Sequence, residues 1–205
     1  MIFSAALGAV LGGRVGYVLF YGFERLLQEP LWLFKVWEGG MSFHGGLLGV
    51  FVALIIYARK INCTLGALCD FVAPLAPIGL GFGRLANFIN AELYGRVTDV
   101  PWAMVFPTDP SGLPRHPSQL YQFALEGLLL FAVVWWYARR SRPHWTVTGV
   151  FLCVYGGARY VVEFFREPDA ALAFDWVTRG QLLSLPMIIL GVAMVLIPMR
   201  RRDKH

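Results

Sequence analysis

The sequence predicts an all-α integral membrane protein, a polytopic bundle of about six membrane-spanning helices. Of its 205 residues, 57% are hydrophobic and only 15% are charged, and the mean hydropathy is +0.57. Soluble domains carry about 25% charged residues, so this deficit argues against an ordinary globular core. Apolar runs recur along the chain, and most reach the roughly 17–25 residues that a helix needs to cross a bilayer. We therefore expect one transmembrane domain over residues 1–205.

Six apolar runs are the candidate spans, and they lie at 2–21, 42–58, 70–90, 119–138, 147–165 and 181–199. Between the first two, segment 23–38 predicts a short surface helix that is broken at Pro30, because proline cannot continue a helix. Segment 98–118 is rich in proline and predicts an ordered loop.

Basic residues are distributed unevenly between alternate loops. Nine of the 18 Lys and Arg residues lie in 59–69, 139–146 and the C-terminal tail. The positive-inside rule places these segments and both termini in the cytoplasm. We then expect a small cap of loops and short helices on the outer face, formed by the segments 22–41, 91–118 and 166–180. Topology thus explains the net charge of +5, and we expect no nucleic-acid partner.

Three arginines remain inside predicted spans: Arg14, Arg84 and Arg159. Each lies 12 to 14 residues beyond the cytoplasmic start of its span, which is roughly 18–21 Å along a helix. All three should therefore lie in the outer half of the bilayer. Since charge inside a membrane is costly and marks functional sites, we expect a shared polar cavity there. The guanidinium fork suits a phosphate group.

Polar companions follow these arginines at helical spacing. They are Asn87 and Asn90 after Arg84, and Tyr155, Glu163 and Arg166 around Arg159. Two interpretations of the second group stay open. Arg159, Glu163 and Arg166 form a salt-bridge row that stabilises a helix, or they contact a ligand directly, and the two roles are compatible.

Two histidines lie at predicted outer ends of spans. His44 is flanked by glycines, and it is either structural or an acid or base. For His116 we favour a structural role, with Gln119 hydrogen-bonded inside the bundle. The sequence offers no metal cluster, Ser/His/Asp signature or phosphate-binding loop, and its three scattered cysteines make no C-x-x-C pair. From the residues alone, an enzyme and a lipid or anion transporter both stay possible.

Five polar motifs, in this order, resemble those of the bacterial prolipoprotein diacylglyceryl transferase family. They are GGRVGYVLFY (12–21), SFHGGLLG (42–49), GRLANFINAELYG (83–95), RHPSQLY (115–121) and YGGARYVVEFFREPD (155–169). The resemblance implies transfer of the diacylglyceryl group of phosphatidylglycerol to the lipobox cysteine thiol of a preprolipoprotein, with release of glycerol 1-phosphate. It also implies a site towards the outer leaflet of the bacterial inner membrane, and no metal or organic cofactor.

The resemblance implies site residues as well. We expect His44, Arg84 and Arg159 to be catalytic. We expect phosphatidylglycerol to be bound by Arg84, Asn87, Gly95, Tyr155, Glu163 and Arg166. Supporting roles are expected for Arg14, Asp70, Asn90, Glu92, His116 and Gln119.

Two departures from the family pattern affect these expectations. The family has seven spans, and the first one, which carries a functional tyrosine, is expected to be missing here. An inactive, N-terminally truncated form is therefore a further alternative. Gln122 stands where many members have glutamate, and we expect its amide to be tolerated because it can still hydrogen-bond.

Overall fold

Every regular element in the computed structural model is helical across residues 1–167 and 178–202, which are the residues that it describes. The predicted all-α class is therefore confirmed. The chain divides into two units, Met1–Leu68 and Cys69–His205. Whether they form one transmembrane domain stays a prediction. Most of the expected outer segment 166–180 lies outside the described residues.

The N-terminal unit is built on two long helices joined by a short connecting segment. Helix α1 is Ile2–Tyr21 and α3 is Phe43–Lys60. Between them come α2 (Phe23–Gln28) and two 3₁₀ turns, Pro30–Phe34 and Val36–Glu38. The predicted break at Pro30 is present. Helix α4, Leu65–Val72, contains the boundary between the units.

Glycines let α1 and α3 approach backbone to backbone. A Cβ added at Gly12 would lie 2.8 Å from the Cα of Gly49, and one at Gly45 would lie 2.9 Å from the Cα of Gly16. Such small-residue contacts are typical of helices in membranes, where apolar burial alone gives no driving force for association. Packing in this unit therefore depends on glycine at these positions.

The C-terminal unit contains the remaining helices. Helix α5 is Ala76–Ile89, α8 is Thr146–Val162 and α9 is Arg179–Arg202. One continuous span, Ser118–Ala138, consists of α6 (Ser118–Gln122), a π-helical segment (Phe123–Leu129) and α7 (Leu130–Ala138). Buried apolar side chains hold the unit together, among them Ala73, Leu130, Val134 and Val147.

The helices account for the six predicted runs but not equally. Four are long and apolar enough to cross a membrane: Ile2–Tyr21, Phe43–Lys60, Ser118–Ala138 and Gly180–Met199. A fifth span results if α4 and α5, bent by 42° at their junction, are taken as one. Helix α8 corresponds to the sixth run, but with 17 residues it is shorter than the others. The chain is thus a multi-pass membrane protein with four or five spans by this criterion.

Candidate functional site

A buried carboxylate, Glu126, lies between two of the predicted arginines. Its side chain is 0% exposed, and its Oε2 accepts a hydrogen bond from Nε of Arg84 at 3.0 Å and forms an ion pair with Nη2 of the same guanidinium at 3.0 Å. Its Oε1 faces Nη1 of Arg159 at 3.9 Å, an ion pair too long for a direct hydrogen bond. The guanidinium groups of α5 and α8 therefore meet at one carboxylate on the π-helical segment.

A second buried carboxylate extends this cluster. Glu163, 4% exposed at its side chain, pairs with Nη2 of Arg159 at 3.2 Å and with Nη1 of Arg166 at 3.8 Å. At the start of α9, Gly180 leaves room for this group, since a Cβ there would lie 2.6 Å from the carboxyl carbon of Glu163. The described cluster thus combines three guanidinium groups with two carboxylates.

Close packing of two glycines brings the first pair together. A Cβ at Gly127 would lie 3.0 Å from the Cα of Gly81, and one at Gly81 would lie 3.3 Å from the Cα of Gly127. Arg84 follows Gly81 by one helical turn, and Glu126 directly precedes Gly127. The absence of side chains at this contact therefore sets the distance between the arginine and its carboxylate.

Three predicted companions lie around the cluster with different degrees of involvement. The phenol of Tyr155, ring-stacked on Phe151, lies within electrostatic reach of Arg84, Arg159 and Glu126. Asn87 is half-buried on α5, and Asn90 ends that helix in an exposed position. Neither amide makes a side-chain hydrogen bond within residues 1–167 and 178–202, so both remain able to bind a ligand.

Gly95 makes a close backbone contact with the loop that precedes α6. The amide of Gly95 donates to the carbonyl of His116 at 2.9 Å, and a Cβ there would lie 2.8 Å from the same carbonyl oxygen. This close backbone contact is one reason for glycine at the position.

His116 and Gln119 both make hydrogen-bonding contacts within the unit. Nδ1 of His116 lies 3.1 Å from the Tyr121 hydroxyl, and the fully buried Gln119 donates from Nε2 to the carbonyl of Glu92 at 2.6 Å.

The Glu92 side chain is exposed at the rim of an open cavity of about 430 Å³. Arg166 and Glu167 also line this cavity, together with Ala91, Leu93, Tyr94 and Thr108. Arg166 therefore belongs both to the buried cluster and to a surface that solutes can reach.

The predicted loop 98–118 is held by side-chain hydrogen bonds, and Arg115 is its organising residue. Its guanidinium donates to the carboxylate of Asp109, to Glu167 at 2.5 Å and to the carbonyl of Gly95 at 3.2 Å. Hydrogen bonds from Arg115 and Ser111 lower the pKa of Asp109 from 3.8 to about 2. The same carboxylate raises the pKa of Arg115. This ion pair fastens the loop beside Gly95 and the end of α8.

Asp70 connects two helices within the C-terminal unit. Its Oδ1 accepts from the backbone amide of Thr148 at 2.8 Å and from the Thr148 hydroxyl at 2.7 Å. Thr148 lies in the first turn of α8, where backbone amides have no partner within the helix and a negative charge is favourable. Asp70 therefore has a structural contact that is consistent with the supporting role predicted for it.

In the N-terminal unit, Arg14 is occupied by backbone carbonyls. It is 2% exposed, and its guanidinium donates to Trp32 at 2.6 Å, to Leu33 at 3.1 Å, and to Gly39 and Gly40. The guanidinium also lies 4.8 Å from the Trp32 ring centroid. These contacts fix the connecting segment onto α1, which gives Arg14 a structural reason to be there. Its predicted place in a cavity shared with the other two arginines stays a prediction.

His44, predicted to be catalytic, lies in the first turn of α3. Its side chain is exposed, and its ring makes an edge contact with Phe43 at a centroid distance of 5.7 Å. Within the described residues the imidazole has no hydrogen-bonding partner. It is therefore accessible, as an acid or base would need to be, and its catalytic role stays a prediction.

Sequence reasoning missed Glu126. The available signal was a single carboxylate in the apolar run 119–138, since intramembrane acids are as exceptional as intramembrane arginines. The Asp109–Arg115–Glu167 network was also missed, because Glu167 lies 52 residues from Arg115 in the sequence. No group of three or more potential metal ligands among His, Cys, Asp and Glu occurs in the described part of the chain.

Comparison with known proteins decides the family. A sequence model described as "Prolipoprotein diacylglyceryl transferase" matches residues 1–197. The chain belongs to the prolipoprotein diacylglyceryl transferase family. A relative from Teredinibacter turnerae, named phosphatidylglycerol–prolipoprotein diacylglyceryl transferase, is 62% identical over 93% of this chain and 68% of its own length.

Other members of this transferase family carry the same name. The protein of Azotobacter vinelandii is 57% identical over 100% of this chain and 78% of its own length. That of Vibrio vulnificus is 59% identical over 95% of this chain and 72% of its own length. The predicted family is therefore confirmed, and the chain is a transferase by family.

Proposed function

We propose that this chain transfers the diacylglyceryl group of phosphatidylglycerol to the lipobox cysteine thiol of preprolipoproteins. The observation that carries the proposal is the convergence of Arg84, Arg159 and Arg166 around two buried carboxylates in a membrane protein. Membership of a family whose relatives are named for this reaction supports it. We place the site towards the outer leaflet of the bacterial inner membrane.

The reaction replaces one bond to glycerol carbon with another. The thiolate sulfur forms a bond to the carbon, and the carbon–oxygen bond to phosphate breaks with its electron pair left on the phosphate oxygen. The products are a thioether and glycerol 1-phosphate, and the thiol proton passes to a base. Every atom comes from the two substrates, so no further reactant is needed.

Arg84 and Arg159 stabilise the charge that builds up on the leaving phosphate. Such contacts accelerate the reaction only to the extent that they are stronger in the transition state than in the ground state. Each guanidinium can donate two parallel hydrogen bonds to a phosphate. Because both arginines are paired with Glu126, their guanidinium groups lie near one another and can reach the same phosphate. We assign phosphatidylglycerol binding also to Asn87, Gly95, Tyr155, Glu163 and Arg166.

The thiol needs activation, since a free cysteine with a pKa near 8.5 is only a few per cent ionised at neutral pH. Two hypotheses remain for the proton. The exposed imidazole of His44 accepts it, or the positive potential of the arginines lowers the pKa of the substrate thiol. A variant His44→Gln separates them, because it abolishes turnover only under the first hypothesis.

The test is transfer by the purified protein in detergent or lipid nanodiscs. Phosphatidylglycerol and a lipobox peptide are supplied, and the peptide is followed by mass spectrometry for the mass of one diacylglyceryl group. We expect transfer by the wild type and none by Arg84→Ala. A peptide whose lipobox cysteine is replaced by serine is the substrate control. Folded wild-type protein that yields no product would refute the proposal.

A further inference from the structure

Glu126 has no role in the proposed chemistry, yet its burial demands an explanation. Its side chain is 0% exposed, and it is the only charged residue of the span Ser118–Ala138. A buried ion costs several kcal/mol unless it is well paired, so a glutamate is an expensive choice here. It also lies in the middle of the π-helical segment Phe123–Leu129, and such irregular turns are frequent at functional sites.

The pairing of Glu126 differs from that of Glu163. Glu163 pairs with Arg159 and Arg166, which are near to it in sequence. Glu126 pairs with Arg84 on α5 and Arg159 on α8, at Oε2 and Oε1 respectively. Within residues 69–167 and 178–202 it is the only carboxylate that pairs with guanidinium groups from two other helices.

We propose that Glu126 is a positioning residue that holds Arg84 and Arg159 side by side, so that both guanidinium groups reach the same phosphate. The inference deepens the proposed transfer reaction and rests on it. Glu126 acts through the arginines and touches no reacting atom. Arg84 uses Nε and Nη2 for this contact, while the 19–20% exposed side-chain surfaces of both arginines stay available to an anion.

Removal of the negative charge of Glu126 should lower kcat without raising KM for phosphatidylglycerol. The variant Glu126→Gln raises the charge of the cluster by one, so electrostatics alone does not weaken the binding of an anionic lipid. Loss of positioning lowers the rate of the chemical step instead, because a displacement near 1 Å costs about 100-fold. We expect kcat to fall by about 10- to 100-fold, with KM for phosphatidylglycerol unchanged or lower.

The first arm measures kcat and KM in three variants that are purified and checked for folding by Tm. Glu126→Gln removes the charge, and Glu126→Asp keeps it on a shorter side chain and should recover part of kcat. Tyr137→Phe is the matched control, since it alters a buried polar atom of the same span that has no hydrogen-bonding partner within the described residues. A purely structural Glu126 would lower Tm and leave kcat per folded molecule unchanged.

The second arm does not depend on turnover. Phenylglyoxal modifies accessible guanidinium groups, and peptide mass spectrometry gives the labelling rates at Arg84 and Arg159. We expect several-fold faster labelling of both in Glu126→Gln and unchanged rates in Tyr137→Phe. Unchanged labelling in Glu126→Gln overturns the inference, even if the wild type transfers no lipid and the proposed function fails. An active wild type with an equally active Glu126→Gln overturns the inference alone.

Discussion

The contact between Gly81 and Gly127 gives a quantitative prediction. In Gly127→Ala the new Cβ would lie 3.0 Å from the Cα of Gly81, whereas carbon atoms pack best at about 3.5–4.0 Å. The two segments must therefore separate by roughly 0.5–1.0 Å. The 3.0 Å bond from Arg84 to Glu126 then stretches to about 3.5–4.0 Å, where a hydrogen bond is lost.

Two consequences should be measurable. Overpacking of this kind costs about 1–3 kcal/mol, which appears as a lower Tm. Displacement of Arg84 lowers the rate of diacylglyceryl transfer by roughly 10- to 100-fold, given that about 1 Å costs 100-fold. The control is Gly79→Ala on the same helix, because a Cβ at Gly79 meets nothing within 4 Å. Gly127→Ala with wild-type Tm and wild-type kcat/KM would refute this account.

Three further substitutions test other parts of the site. Asp109→Asn should lower Tm at pH 7, and its difference from wild type should vanish as pH falls from about 4 to about 2, because the pKa of Asp109 is lowered to about 2. Gly180→Ala should displace the Glu163 carboxylate, which lies 2.6–2.8 Å from the new Cβ, and reduce transfer. Arg14→Lys should expose segment 22–41 to limited proteolysis, since an ammonium has at most three donors and lacks the planar fork that reaches four carbonyls.

Gly180→Ala and Arg14→Lys each have a matched control. Gly157→Ala adds a Cβ that meets nothing within 4 Å, so it should leave transfer unchanged. The exposed acid Glu24, which has no salt bridge within the described residues, serves as Glu24→Gln for proteolysis of the connecting segment. A Tm difference between Asp109→Asn and wild type that does not change with pH would contradict the assigned ion pair. Unaltered proteolytic cleavage of Arg14→Lys would contradict the assigned carbonyl contacts.

Much of the fold was predictable because periodicity and composition are local. The apolar runs located all six long elements, and Pro30 marked the break after α2. The span count was harder, since the bend between α4 and α5 and the shortness of α8 depend on packing. The sequence shows that the predicted spans contain many glycines, but it does not show which glycine packs against which.

The site was predictable in part. Arg84, Arg159 and Glu163 were found because charges within apolar runs are conspicuous, and Arg166 was found because it follows Glu163 at helical spacing. The structure brings these four together. Glu126 was missed because the search followed positive charge. The contacts of Asp70 with Thr148 and of Arg115 with Glu167 could not be inferred, because these partners are 78 and 52 residues apart, respectively.

The π-helical segment Phe123–Leu129 makes the span Ser118–Ala138 sensitive to its length. Each residue of an α-helix turns the chain by about 100°, and a π turn accommodates one additional residue within its wider loop. Loss of one residue here would leave the apolar character of the span unchanged but rotate its outer part against its inner part. Glu126 and the buried Gln119 and Gln122 could then no longer face the protein interior together, so this helix tolerates substitution more readily than deletion.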